Sequence, residues 1–244
     1  MEKPKEEQKR DEYLRIIDYL PEGKAEMPPH KRKPIAQGAG EKYFSLLEIV
    51  PRRGMSFESG ERVYIGDDTR DKVDHIERRI KHDWLTPTAK SEIPFILEEI
   101  ITDNEPYFIK FYNTVGPISP RQHKLERLPR IGKKHAKVIL EERQKKPFES
   151  FEDLQNRVKG MPDPIKVLAE QIVNELKGES KYRLFVPIIK DEVQSDREER
   201  PRSGGDRSSR GREERPRSGG DRSSRGREER PRSGGGDRSG GRRF

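Results

Sequence analysis

The sequence predicts an α+β protein: a small β-barrel, then an all-α module, then a disordered tail. Three observations carry this. Residues 13–80 divide into short β-rich runs of five to eight residues, each bounded by a turn signal. From Thr86 onward, apolar residues recur at helical spacing behind capping residues and prolines. From Ser195 to Phe244 the terminal Phe244 is the one apolar residue, so fifty residues hold no material for a core.

The first residues, 1–11, are strongly charged and are expected to fray. Barrel segments occupy 12–85. Tyr13 to Leu20 reads as a strand closed by Pro21-Glu22-Gly23, and Pro28-Pro29 with Lys31-Arg32-Lys33-Pro34 marks an extended loop. The run Tyr43 to Val50 ends at Pro51-Arg52-Arg53-Gly54, and Ser59-Gly60 turns into Arg62 to Gly66. Val73 to Ile80 also fits helical spacing through Val73, Ile76 and Ile80. The strand is preferred because its short neighbours need pairing partners.

Helical residues are expected over 86–190. Thr86-Pro87-Thr88 resembles a helix start, followed by the stripe Ile93, Ile96, Leu97, Ile100 and Ile101. A second helix from Glu105 to Asn113 sets Phe108, Phe111 and Tyr112 on one face. Leu125 and Leu128 end a short helix, Pro129-Arg130-Ile131-Gly132 is a tight connection, and Ala136, Ile139 and Leu140 mark the helix after it. Ser150 and Asp153 form a capping box ahead of Phe151, Leu154 and Val158. Asp163 caps a helix carrying Ile165, Leu168, Ala169, Ile172, Val173 and Leu176, with Gly178 as its stop. Tyr182 to Ile189 reads as a last β-like run.

Charge is unevenly spread. Of 244 residues, 40% are charged and the net charge is +8. Residues 1–115 hold 20 basic against 23 acidic residues, residues 116–190 hold 17 against 10, and residues 195–244 hold 16 against 10. A basic central block and a basic tail are the asymmetry expected of a polyanion binder. No apolar run is long enough for a membrane span, and the start is too charged for a signal peptide, so a cytoplasmic protein is expected. There is no cysteine, which excludes disulfides, thiolate metal sites and thiol nucleophiles. The histidines at 30, 75, 82, 123 and 135 form no metal-binding spacing, and no cofactor is expected.

The pattern Leu125, Leu128, Pro129, Ile131, Gly132, Ala136 resembles the helix-hairpin-helix nucleic-acid-binding motif. A turn of small residues lets backbone approach a phosphate, and the following helix N-terminus offers free N–H groups and a positive dipole end. Lys133, Lys134 and Lys137 crowd that end, where cations oppose the dipole by about 0.3–1 kcal/mol each, a cost bound phosphate would offset. The motif usually has glycine where Arg130 stands; the arginine either hinders approach or supplies its own guanidinium. The second hairpin, Lys159-Gly160-Met161-Pro162, reads as degenerate and structural, since Pro162 has no N–H. The whole region 121–178 is expected to hold a tandem of such modules. The blander reading is a connection that merely packs two helices.

Segments Asp18 to Gly23, Glu41 to Phe44, Gly60 to Gly66, Asp74-His75-Ile76 and Lys146 to Leu154 resemble an archaeal family of unknown function, domain of unknown function 655. The resemblance implies an OB-like barrel joined to a helix-hairpin-helix module, without an established activity. On the barrel, Arg52, Arg53, Arg70, Lys72, Arg78, Arg79 and Lys81 form a candidate backbone-tracking groove, with Tyr43, Phe44, Phe57 or Tyr64 as stacking candidates that in so small a barrel are more often core. Trp84 reads as a core or domain-contact residue. Asp153 lies where some glycosylases of this motif place a catalytic aspartate, but the capping box explains it without chemistry. The tail, 191–244, repeats Arg197–Gly211 at Arg212–Gly226 and resembles Arg/Gly/Ser-rich RNA-associating segments. The function expected is therefore non-catalytic binding of nucleic-acid phosphates, RNA in preference to DNA. An adaptor docking transcription or ribosome-assembly proteins is the alternative, and a nucleic-acid-processing enzyme the remotest one.

Overall fold

A computed structural model of the chain describes residues 10–187. The Arg-rich repeats, residues 188–190 and most of the expected frayed start lie outside the described residues. Five strands, β1 (Tyr13–Leu20), β2 (Ile35–Gly40), β3 (Leu46–Pro51), β4 (Arg62–Tyr64) and β5 (Val73–Arg79), form one antiparallel sheet in the order β4-β1-β2-β3-β5. Val73 to Arg79 is a strand: it needs a partner, and β3 supplies one along its length. No ladder joins β4 to β5, so the sheet curls into a half-barrel with two edges.

The central strand, β2, has no counterpart among the strands that the sequence predicts. Its residues, Ile-Ala-Gln-Gly-Ala-Gly, have little β-propensity, yet all six are buried. Small size is what this position requires. A Cβ on Gly38 would lie 2.6 Å from Leu14 Cδ2, and one on Gly40 would lie 2.1 Å from the Asp11 carboxylate. Asp11, expected in the frayed start, is itself buried. Its carboxylate accepts the N–H groups of Lys42 (2.8 Å), Tyr43 (2.7 Å) and Ser45 (3.3 Å), pinning the β2–β3 turn.

Both faces of the sheet are covered. Leu14, Ile16, Leu47, Ile49, Val63 and Val73 enclose a small core with Phe57 on the inside of the curl. Ile17, Ala39, Phe44, Leu46 and Ile80 face the helices, in a cluster that runs without a break across the expected 85/86 boundary. A register irregularity between Ile16 and Asp18 turns Asp18 towards that side, where it accepts the Thr86 hydroxyl at 2.5 Å.

Thr86 caps α1 (Pro87–Asp103) by accepting the Ala89 N–H at 3.0 Å, and the expected isoleucine–leucine stripe is buried. Gln37 fastens the cap to β2: its Oε1 accepts the Thr86 N–H (2.9 Å), while its Nε2 donates to Trp84 O (3.1 Å) and Glu48 (3.0 Å). Glu48, buried on β3, also accepts from Lys24 and from Arg78 (2.7 Å). Desolvation pushes its pKa up, but these hydrogen bonds outweigh it and hold the carboxyl below its ordinary value. Trp84 is not a core residue. It is 47% exposed beneath the Arg78 guanidinium, 5.1 Å from the ring centroid, because the backbone turn buries Leu85 instead.

Then follow α2 (Glu105–Thr114), a two-strand hairpin of β6 (Pro117–Ser119) and β7 (Gln122–His123), and a 3-10 turn over Lys124–Arg127. The helices α3 (Lys133–Lys145), α4 (Phe151–Arg157) and α5 (Pro164–Leu176) complete the described chain. Residues 182–187 do not form the expected strand. Glu175, fully buried on α5, takes their amides: Leu184 N donates to Oε1 (2.7 Å), and Phe185 N (3.0 Å) and Val186 N (2.8 Å) donate to Oε2. With its donors held by one carboxylate, the segment has no need of a ladder. Among the described residues no helix is long and apolar enough to cross a membrane.

Candidate nucleic-acid interface

His123 opens the connection that leads to α3. Its Nδ1 accepts the Leu125 N–H (3.1 Å) while its backbone N–H donates to Glu126 (3.1 Å), closing a reciprocal cap. Burial first, and then the nearby Arg143 charge, hold this imidazole below its ordinary pKa, as an Nδ1 acceptor requires. The element before the hairpin is therefore one 3-10 turn, not the expected α-helix. Leu125, Leu128 and Ile131 are buried and anchor the hairpin from below.

In the hairpin, Ile131 N–H bonds to Leu128 O (3.1 Å) and Arg130 between them has φ 61°. That is the left-handed region, which explains why glycine suits this position; arginine there costs roughly 1–2 kcal/mol. Gly132, the N-cap of α3, has φ −88°, and a Cβ built on it would meet nothing within 4 Å. Neither packing nor dihedral demands a glycine there. It offers no side-chain cap, and the first turn of α3 contains no acid, whereas α1, α4 and α5 are each closed by a capping side chain.

The second hairpin has the same turn. Met161 N–H bonds to Val158 O (3.1 Å), and Gly160, third in that turn, has φ 76°. The second turn lies near the start of α3, since a Cβ on Gly160 would be 3.8 Å from His135 Nε2 in the first turn of that helix. Lys159 and Gly160 are exposed. A positive φ at the third position shapes both turns, and Pro162 beside the second has no N–H to donate.

Ion pairs sort the cations of the helical module. Arg143 donates to Tyr112 O (3.0 Å) and Val115 O (2.9 Å), and Arg157 to Glu142 O (2.5 Å) and Lys146 O (2.7 Å), so both hold helices together. Lys133 and Lys134 are exposed and make no ion pair among the described residues. Lys137 lies 3.7 Å from Glu141, and Arg130 lies 2.9 Å from Glu170 of α5, both at the surface where such pairs contribute little. Pro129 is half-buried between the anchors.

Arg52 and Arg53 do not come together with Arg78 and Arg79. Arg52 and Arg53 are exposed beyond β3, where Arg52 N pairs with Lys72 O. Arg78 and Arg79 lie opposite Glu48 and Leu47, six residues along β5, about 20 Å away at strand spacing. There Arg78 is bound to Glu48 and Arg79 donates to Ser45 Oγ. Of the stacking candidates, Phe44 and Phe57 are buried; Tyr43 and Tyr64 are half-buried. Asp153 has its amide capped by Ser150 Oγ (3.0 Å) and its carboxylate taken by Glu149 N (3.1 Å) and Arg157 (3.1 Å).

Residues 10–187, the span just described, match a family model described as protein of unknown function (DUF655). The uncharacterized protein MJ0038 of Methanocaldococcus jannaschii is 44% identical over 181 residues, covering 73% of this chain and 81% of that protein. The crystal structure of Af1531 from Archaeoglobus fulgidus, of the same family model, is similar with a TM-score of 0.68 at 43% identity, covering 72% of this chain and all of that one. With its α+β fold and matched length, the chain belongs to the DUF655 family.

Proposed function

We propose that this protein binds nucleic acid without acting on it, RNA in preference to DNA, through the paired hairpins at the N-terminal ends of α3 and α5. The two turns are read as a tandem helix-hairpin-helix-like module and the curled sheet as an OB-like half-barrel. One observation carries the reading: a turn leads into the uncapped start of α3, where Lys133 and Lys134 have no acidic partner among the described residues, and a second turn of matching backbone geometry lies near His135 of the same helix. Three cations at the positive end of a helix are a poor choice for stability alone and suit a bound phosphate. Backbone amides of Gly132 to Lys134 would approach the phosphate, Lys133, Lys134 and Lys137 would neutralise it, and Lys159 would meet its neighbour. The preference for RNA rests on the barrel type and on the Arg/Gly/Ser repeats, whose contribution is electrostatic and indifferent to sequence.

The test is fluorescence anisotropy of the full chain with single-stranded RNA and duplex DNA across a salt series. Log affinity should fall with log salt by about 0.7 per contacted phosphate on single strands. Lys133→Glu with Lys134→Glu should weaken binding and flatten that slope. Unchanged affinity would remove the hairpins from the interface, and no affinity at low salt would leave the docking of protein partners as the better reading.

A further inference from the structure

Four cations gather where the β6–β7 hairpin passes into the 3-10 turn over Lys124–Arg127. Arg121, Lys124 and Lys181 are exposed and Arg127 is half-buried; none of them makes an ion pair among the described residues. Tyr182 brings Lys181 to the others, since its ring centroid lies 4.5 Å from the Arg127 guanidinium and 5.8 Å from Lys181 Nζ. The acid in the turn, Glu126, accepts the His123 N–H (3.1 Å).

The way Arg127 is held is the second observation. Its partners are neutral: the Tyr182 ring, and Gln122 Oε1, which accepts from Nη2 at 2.6 Å. This fixes the guanidinium fork while using one of its five N–H donors, and it leaves the charge without a counter-charge. Arg143 and Arg157 donate to backbone carbonyls between helices, and Arg130 donates to Glu170. The Tyr182 contact also fastens the segment beyond α5, but Arg121 and Lys124 take no part in that. Nor does the α3 dipole call for them. Its last turn already carries Arg143 and Lys145, and Arg157 takes Glu142 O and Lys146 O.

Arg143, ten residues beyond Lys133 on α3, donates to Val115 O, two residues before β6. The entry to the β6–β7 hairpin is therefore about 15 Å along α3 from its uncapped start. The 3-10 turn packs against α3. We propose that this patch is a second contact for the nucleic-acid backbone, with Arg127 forking onto one phosphate and Arg121, Lys124 and Lys181 neutralising its neighbours. Guanidinium groups pair with phosphate oxygens two at a time, and lysines add compact charge. The inference rests on the hairpin reading and gives its ligand a length: a continuous strand gripped at two points, not a single phosphate. A polyanion carries one sign of charge along the whole of that distance.

The experiment is fluorescence anisotropy of the full chain with a labelled oligouridylate of about sixteen nucleotides, across a salt series. Arg121→Glu with Lys124→Glu, both at exposed positions, should weaken binding by about tenfold or more. The salt slope should flatten by about 0.7 for each phosphate released. Arg127→Lys keeps the charge and loses the fork, so affinity should fall about threefold or more at an unchanged Tm. Combined with Lys133→Glu and Lys134→Glu, the losses should multiply, as separate contacts require. Parent-like affinity and slope in Arg121→Glu with Lys124→Glu would overturn the second contact and leave the patch to an acidic protein surface. Parent-like affinity in Arg127→Lys would overturn the forked phosphate. Failure of the hairpins shows separately, as unchanged affinity in Lys133→Glu with Lys134→Glu.

Discussion

Replacing Gly132 with aspartate sets folding and binding against each other. At φ −88° and ψ 179° any L-residue is accommodated, and the added side chain enters open space, so no steric cost arises. An aspartate at the N-cap improves on glycine by a few tenths of a kcal/mol. Its charge beside the helix N-terminus adds about 0.3–1 kcal/mol, in an environment that already holds Lys133 and Lys134. The variant should therefore be more stable by about 0.5–1 kcal/mol, a rise of roughly 1–4 °C in Tm for a chain of this size. Its carboxylate would occupy the amides of the first turn and repel phosphate. Affinity for single-stranded RNA should fall, and the salt slope should flatten by about 0.7 for each phosphate that the helix start no longer holds. Thermal unfolding and anisotropy titrations read the two effects separately. An unchanged affinity with a higher Tm would refute phosphate binding by this helix start, and a lower Tm would refute the account of Gly132 as sterically free.

Two further outcomes follow from buried groups. Glu175→Gln replaces a carboxylate that accepts four N–H donors with an amide whose NH2 faces some of them. At about 1.5–3 kcal/mol for each hydrogen bond to a charged group, losing two should cost about 3–6 kcal/mol in urea unfolding, and less than about 1 kcal/mol would contradict the arrangement. The His123 imidazole has a folded pKa below its unfolded value of about 6.5, so the unfolded chain binds the extra proton more readily. Its contribution to stability is present above pH 6.5 and is lost as pH falls from there through the folded value. In His123→Asn, whose side-chain oxygen can accept the Leu125 N–H without titrating, the loss of stability over this range should be smaller; an identical pH profile would remove His123 as a cause.

Much of the fold was legible because it depends on local periodicity. The strand Tyr13–Leu20 and the helices α1 and α5 announce themselves by alternation, by the Thr86 and Asp163 caps, and by stripes that need only a partner surface of any kind. The first hairpin was equally legible, because a left-handed turn and an uncapped helix start are properties of adjacent residues. The second carries the same turn at Gly160, a likeness of backbone that the differing residues of the two connections do not display.

What the sequence alone determined about this protein is the succession from strands to helices, the division of its charge, and the tight turn at 128–132. Tertiary structure decided the rest. It made β2 the central strand because its neighbours leave room only for small side chains. It drew residues 182–187 onto a carboxylate of α5 in place of a sheet. It occupied Arg78 on Glu48 while leaving Lys133 and Lys134 without acidic partners among the described residues. Each of these depends on which groups lie within about 3 Å of one another, a property that periodicity along the chain does not encode.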